Sequence, residues 1–410
     1  MDLFTVIFLL ISIIVIKFLL KSDPQPINGV YSQPNKWYWL KFRLFKCLLW
    51  LRKRKQDQKV DGENAGYGRK SRNSPEEMDR AQELPKEHPK AVDAVYLTGS
   101  NKNGQFMVTA TARRHDNHVQ TIVFLRLPHL GFLELPCMPD TSLRGDRPGE
   151  FAAGGLHIRP LEPMKTWAIQ FDGKLRHVST GKLLHVKFDL TWTACTRFFD
   201  FDVDLPSDTL ADAIAREPWS RQFFDTLKTI HQTHYEQFGD TRGTVTIEGH
   251  DPVTLNIRGI RDHSYGNIRN WRQLHRYCIQ YASFEDGTNL NISAISMPTT
   301  TSRLHCGFLF LADGQLEAVT WTDLEFHCLG DDGTPVNKFT VKFKAGGRMR
   351  TLEAEVLDWR QFYIGEGRDA KIYERYVRYR LDGVEGYGLS EWEYVNTDGT
   401  EPQNNMWLTC

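Results

Sequence analysis

Between Ala94 and Asn396 the apolar residues keep returning to a period of two. In Leu183–Thr193, Leu184, Val186, Phe188, Leu190 and Trp192 alternate with His185, Lys187, Asp189 and Thr191. Such a segment has one apolar and one polar face, as in an antiparallel sheet that meets a core on one side only. The same period marks Gln105–Arg113, His118–Leu127, Leu156–Arg159 and Thr166–Phe171. After Gly239 it resumes in ten closely spaced segments, from Thr244–Glu248 and Val253–Arg258 to Tyr373–Leu381 and Gly388–Val395. Turn signals such as Glu285-Asp286-Gly287 and Ala312-Asp313-Gly314 join several of them. This spacing predicts barrels or strongly curved sandwiches. A helical block interrupts: Ser207 caps a run through Ala215, and Pro218 opens another that the pattern carries to Phe238. A chain of 410 residues exceeds one ordinary domain. The expectation is a mainly β protein with two tandem β domains, over 93–240 (including the helical connection) and 241–396, and a tail over 397–410.

The N-terminus is of another kind. Leu3–Leu20 is 18 residues with Lys17 as its only charge, about the length that crosses a ~30 Å hydrocarbon core. Asp2 replaces a basic leader and no small-residue cleavage pattern follows, so a retained transmembrane anchor over 1–21 is expected rather than a cleaved signal. Beyond it stand Lys21, Lys36, Lys41, Arg43, Lys46 and the run Arg52-Lys53-Arg54-Lys55. The positive-inside rule then puts the body in the cytoplasm, with the endoplasmic reticulum as the default membrane. Residues 22–92 read as a juxtamembrane segment and polar linker. Within it Trp37–Leu51 is too short and too charged to span. It reads as an in-plane helix on the membrane surface, or as a helix packed on the body. Residues 56–93 read as a tether with a helical turn near Pro75–Gln82.

Composition excludes some functions. Fifty-one basic residues balance fifty-one acidic ones, which argues against a dedicated nucleic-acid binder. Seven scattered cysteines (47, 137, 195, 278, 306, 328 and 410) form neither a disulfide framework nor a zinc pattern. No phosphate loop, dinucleotide fingerprint or nucleophile elbow occurs in the body, so no cofactor is expected. His231, His234 and Glu236 fall on the expected helix, where two histidines three apart can share a metal. No third ligand is identifiable, and no metal is expected. The sequon Asn291-Ile292-Ser293 lies inside a strand and reads as chance.

The densest chemistry is Gly259-Ile260-Arg261-Asp262-His263-Ser264-Tyr265-Gly266, followed by Arg269, Trp271 and His275. An acid, imidazoles, guanidinium groups and aromatic faces meet within seventeen residues. Asp262 in an apolar setting would stay protonated and act as a general acid, with His263 as its partner. Tyr265 and Trp271 would stabilise a cation. The bland alternative is a structural corner, with Asp262 capping a turn, Arg261 ion-paired and Trp271 filling the core. Glu391, on the strand Gly388–Val395, faces a cavity or pairs with an arginine. Trp167 and Trp192 line a cavity or fill the core.

The segment from Gly259 to Gly266, with Arg269 and Trp271, resembles the signature of a poorly characterised family of tandem lipocalin-like proteins. Phe151–Leu156, Pro163-Met164-Lys165-x-Trp167, His234-Tyr235-Glu236-Gln237 and Gly388-Leu389-Ser390-Glu391-Trp392 share the resemblance, which covers about Asp93 to Asn396. Related segments precede phosphoenolpyruvate-synthase-like phosphotransferases in invertebrates. More distantly, Asp262, His263 and Tyr265 are similar to a segment of carotenoid hydratases, in which an acid protonates an isoprenoid double bond. Arg261 and Tyr265 depart from that pattern.

Three functions follow as expectations. The first is a membrane-anchored binder of an apolar small molecule, a lipid or isoprenoid, with Arg261, Tyr265, Arg269, Trp271, His275, Glu391, Trp167 and Trp192 around it. The second is a cofactor-independent hydratase, cyclase or isomerase using Asp262 and His263. The third is a protein-interaction adaptor.

Overall fold

The computed structural model describes residues 3–54 and 74–397. Part of the expected linker and nearly all of the expected C-terminal tail lie outside the described residues. The fold is mainly β, with three helices before the sheets: α1 (Leu3–Leu20), α2 (Tyr38–Arg54) and α3 (Pro75–Asp79). Twelve strands follow: β1 (Val92–Ser100), β2 (Phe106–Arg113), β3 (His118–Leu127), β4 (Gly131–Glu134), β5 (Ser142–Arg144), β6 (Phe151–Ala153), β7 (Leu156–Glu162), β8 (Thr166–His177), β9 (Leu183–Ala194), β10 (Phe199–Asp200), β11 (Gln232–Ile247) and β12 (Val253–Gly266). Two helices, α4 (Ser207–Arg216) and α5 (Arg221–Thr229), are inserted before β11. The last eight strands are β13 (Arg276–Phe284), β14 (Asn289–Met297), β15 (Thr301–Phe310), β16 (Leu316–Thr322), β17 (Lys338–Ala345), β18 (Arg348–Ile364), β19 (Ala370–Leu381) and β20 (Val384–Val395).

These strands make two closed eight-stranded antiparallel barrels. The second is a simple meander from β13 to β20. The first closes through β1, β2, β3, β4, β8, β9, β11 and β12, which returns to β1. The expected division at 240/241 therefore falls inside β11. Strands β11 and β12 belong to the first barrel because their backbones pair with β9 and β1, and the boundary lies between Gly266 and Arg276. Gly259 permits this closure: a Cβ there would sit 2.0 Å from the Thr98 carbonyl oxygen of β1.

Both barrels are filled. Trp167, Trp192 and the Arg261 guanidinium occupy the first, the guanidinium lying 5.0 and 5.2 Å from the two indole rings. Leu290, Ile292, Val341, Phe343 and Trp392 fill the second. The chain that precedes the barrels plugs them. Tyr31 stacks on Phe326, and its hydroxyl donates to Asp331 Oδ1 at 2.6 Å in the second barrel. Helix α3, expected as part of a loose tether, is docked instead. Ser74 caps it, with Glu77 completing a capping box, and Asp79 is fully buried under the first barrel.

Helix α1 is long and apolar enough to cross a membrane, and none of its residues is buried. Helix α2 packs on the body, the second of its two expected placements. Tyr38, Phe45 and Leu49 bury against α4, Lys46 pairs with Asp208 at 2.6 Å, and Lys41 donates to the Glu217 carbonyl at 2.7 Å. Its other side stays exposed and apolar, with Trp37, Leu40, Leu44, Leu48 and Leu51 in one stripe at helical spacing.

Candidate active site between the barrels

The cavity lies between the barrels, with a volume of about 320 Å³, in the range of small-molecule sites. Ile122, Ile295, Leu304, Phe362, Ile364 and Ile372 make its apolar wall. The polar wall comes from both barrels. From the first come Tyr96, His234 and Asp262; from the connection, Arg269; from the second, Tyr277, Tyr281, Glu374 and Glu391.

Strand alternation sorts the expected site residues. Arg261 and His263 point into the first barrel, while Asp262 between them points into the cavity. Arg261 is held by Asp79 Oδ1 at 2.9 Å and by Gln237 Oε1 at 2.9 Å. His263 has Nδ1 2.7 Å from the Tyr235 hydroxyl and Nε2 2.7 Å from Asp93 Oδ1. Its ring nitrogens meet these two groups and not Asp262. Trp167 donates its indole N–H to Asp79 at 3.1 Å and, like Trp192, belongs to the core. Tyr265 packs beside Met78 and Tyr235. His275 stands by the Tyr31 plug, 3.4 Å from its hydroxyl. Of the ten expected residues, Asp262, Arg269, Trp271 and Glu391 line the cavity.

The partner of Asp262 is His234, with Nε2 3.1 Å from Asp262 Oδ2. The expected helix through Phe238 ends at Thr229, and Gln232 opens β11. The strand period then sends His234 and Glu236 to the cavity side, and Tyr235 and Gln237 into the barrel. His231 separates from them and meets Asp202 at 2.7 Å. Burial opposes charge on both members of the pair, yet each charge overrides it for the other. The Asp262 carboxyl is held below its ordinary range and the His234 imidazole above. Asp262 Oδ1 is buried and accepts no hydrogen bond. Arg269, which donates to Gln232 and to Ser264 Oγ at 2.8 Å, adds positive charge nearby.

Glu236 lies opposite Asp262 across the β11–β12 pair. Burial pushes its carboxyl up to about 7. The Tyr281 hydroxyl donates to it at 2.8 Å, and Asn291 donates to its other oxygen, so it ties the first barrel to the second. His234, Glu236 and Asp262 bring one donor atom each within 4.8 Å of one another, a grouping that could hold a metal ion. Both Glu236 oxygens already accept hydrogen bonds, from Tyr281 and Asn291.

The facing wall carries Glu374 and Glu391, directly opposite each other on β19 and β20. The Tyr96 hydroxyl donates to Glu374 Oε2 at 3.1 Å from across the interface, and the Tyr277 hydroxyl donates to Glu391. Burial pushes Glu391 up to about 7 and Glu374 well above the carboxylate range. Trp271 presents a buried indole N–H that donates to nothing.

Sequence reasoning missed His234 as the partner of Asp262, weighed Glu236 only with His231 and His234 as a metal group, and missed Glu374 and the tyrosines. A signal was present for Glu374, an acid on the same strand face as Ile372 and Tyr376. It also missed Asp79, whose partners lie far away in the chain.

No curated protein matches the chain. Among solved structures, an AttH-assigned protein from Nitrosomonas europaea aligns at 13% identity and a TM-score of 0.50, over 76% of this chain and 97% of that one. Kievitone hydratase from Nectria haematococca aligns at 13% identity and TM-score 0.44, over 84% and 98%. CghA with Sch210972 aligns at 11% and 0.45, over 76% and 90%. At these identities the likeness is one of fold. The expected tie to segments preceding phosphotransferases finds no support among them. The chain belongs to the family of unknown function DUF8627, whose model matches residues 3–394.

Proposed function

We propose that this protein binds an apolar small molecule between its barrels and acts on it by proton transfer, without a cofactor. One observation carries the reading: the Asp262–His234 ion pair, with a buried carboxylate oxygen left without a donor, on the polar wall of a cavity whose other wall is apolar. A carrier needs no ionised pair at its ligand. An adaptor would suit the filled barrels and the exposed apolar stripe of α2, but it has no use for such a cavity.

The roles differ from the sequence expectation. Asp262, expected as a general acid, is kept ionised by His234 and serves as the base. The Trp271 N–H and Arg269 would orient an oxygen on the ligand. An isomerase, or a cyclase or hydratase whose first step is removal of a proton, fits this description. The protein sits at a membrane through α1, with the body on the cytoplasmic side. That placement supplies apolar ligands from the lipid phase.

The test is mass spectrometry of small molecules extracted from the purified full-length protein and from Asp262→Asn. The expected result is an apolar oxygen-containing compound in both, differing between them by water, ring closure or double-bond position. The same compound in equal amount from both would make the protein a carrier and end the catalytic reading.

A further inference from the structure

Asp262, Glu374 and Glu391 line the cavity, and they form two unlike sets. Asp262 has a cationic neighbour. Glu374 and Glu391 have none: among the described residues no lysine, arginine or histidine pairs with either. Glu374 is fully buried and Glu391 partly so, and they meet across adjacent strands. Tyr277 and Tyr96 each donate to one of them, and Glu374 Oε1 is buried without any donor. Two carboxyl groups this close, one fully buried and neither with a counter-charge, do not both ionise, so at least one proton stays between them. The charge on Asp262 across the cavity works in the same direction.

Resting on the acid–base reading above, we infer that the substrate class is an enolisable carbonyl compound: Glu391 and Glu374, oriented by Tyr277 and Tyr96, donate a hydrogen bond to the carbonyl oxygen while Asp262 removes the proton from the neighbouring carbon. The acid strength selects this chemistry. A carboxyl group whose proton is held near or above neutrality, as burial arranges here, is too weak to protonate an isolated alkene. It is well matched to an oxygen that becomes an enolate, because a neutral carboxyl in an apolar site donates to developing negative charge.

The step balances within the site. Asp262 takes the α-hydrogen as a proton, and the C–H electron pair becomes the new carbon–carbon double bond. The carbonyl π pair moves onto oxygen, where the dyad hydrogen bond stabilises it. In the second half Asp262 returns the proton to the γ-carbon, and the carbonyl re-forms. A β,γ-unsaturated ketone thereby becomes its conjugated α,β-isomer, with no net gain or loss of protons. His234 stays cationic throughout and limits the rise in basicity of Asp262.

The probes are cyclohex-3-en-1-one and its fused bicyclic homologue, given to the full-length protein. Conjugation is followed by ultraviolet absorbance, and α-hydrogen exchange in heavy water by mass spectrometry. Catalysed isomerisation and exchange are expected, with rates falling about 10²–10³-fold in Glu391→Gln and about 10²–10⁴-fold in Asp262→Asn. Infrared spectroscopy of the wild-type protein at neutral pH is the companion measurement and needs no variant to fold. It should show a protonated-carboxyl band that weakens in Glu374→Gln. No catalysis with either ketone, or no protonated-carboxyl band, overturns the inference. If the ketones are inert while the extracted compound still differs between wild type and Asp262→Asn, the proton-transfer reading stands and only the carbonyl assignment falls.

Discussion

Asp262 and His263 are consecutive in the chain, yet their side chains stand on opposite sides of one barrel wall. Asp262 faces the cavity and its partner His234. His263 is sealed among Asp93, Tyr235 and the ring of Phe151 inside the first barrel. A dipeptide that reads as one catalytic unit is thus divided between the cavity and the barrel core. Each half predicts its own phenotype.

For the cavity half, the interaction between Asp262 and His234 should be measurable without any substrate. The carboxylate raises the imidazole against a burial effect that lowers it. In Asp262→Asn burial remains and the largest opposing charge is gone. The His234 pKa, followed by nitrogen-15 resonance against pH, should fall relative to wild type. An unchanged titration would show that the two side chains do not interact in solution.

For the architectural half, Asp79 should be a stability residue. It is fully buried, pairs with Arg261, and accepts from Trp167 Nε1 and the Met164 backbone N–H. Removing one partner of such a pair leaves an uncompensated buried charge, at a cost of about 3–5 kcal/mol. Asp79→Ala should lower the urea midpoint accordingly, whereas replacing Asp79 and Arg261 together by apolar residues should restore much of the loss. A midpoint equal to wild type in Asp79→Ala would mean that α3 is not docked.

Stability should also depend on pH through Glu236. Its folded carboxyl titrates at about 7, against an ordinary value of 4.5. The folded state therefore holds a proton that the unfolded state has released between those values. In that window the native form binds more protons, so stability falls as pH rises. His234, whose imidazole is raised, contributes in the same direction near its own transition, and Asp262, which is lowered, in the opposite direction at acid pH. Comparison with Glu236→Gln isolates the glutamate. The variant keeps a neutral side chain, and its stability should decline less between pH 4.5 and 7, by up to about 3 kcal/mol. Parallel curves for the two proteins would show that Glu236 is not held protonated.

The barrels were legible in the sequence because strands such as Leu183–Thr193 alternate an apolar face with a solvated, polar one. The site was half legible. Glu391 stood out as an acid on a strand, and Asp262 as one just past the expected strand end at Arg258; the strand in fact runs on to Gly266, and its alternation separates Asp262 from His263. His234 was hidden by a boundary. Amphipathic α5 runs directly into β11, and Gln232–Phe238 has the composition of either element. The inter-barrel pairing of Tyr96 with Glu374, 278 residues apart, has no local signature at all. The same holds for Asn291, which looked like a stray sequon and donates to Glu236.

The membrane-proximal chain makes the last prediction, because its two helices have unequal tasks. Helix α1 exposes its whole apolar length, whereas α2 commits one face to α4 and leaves a stripe from Trp37 to Leu51 uncovered. The helices meet where Phe18 packs edge-on against Trp37 and where Lys36 Nζ donates to the Leu19 carbonyl at 2.9 Å. A bilayer crossed by α1 would therefore have the start of α2 at its surface. The stripe, with Trp39 and Trp50 beside it, has the aromatic and aliphatic character of an interfacial helix. A chain lacking residues 1–20 keeps Tyr31 as the plug of the second barrel and should remain folded. It should float with anionic vesicles only weakly and be released by salt, since the cations Arg52, Lys53 and Arg54 then carry much of the attachment. Replacing Leu40, Leu44 and Leu48 by serine in the shortened chain should abolish flotation without changing its thermal transition, because none of the three is buried in the body. Full-length protein bearing the same replacements should still float, held by α1. If the shortened chain floats as completely as the full-length protein in high salt, α2 rather than α1 is the principal anchor.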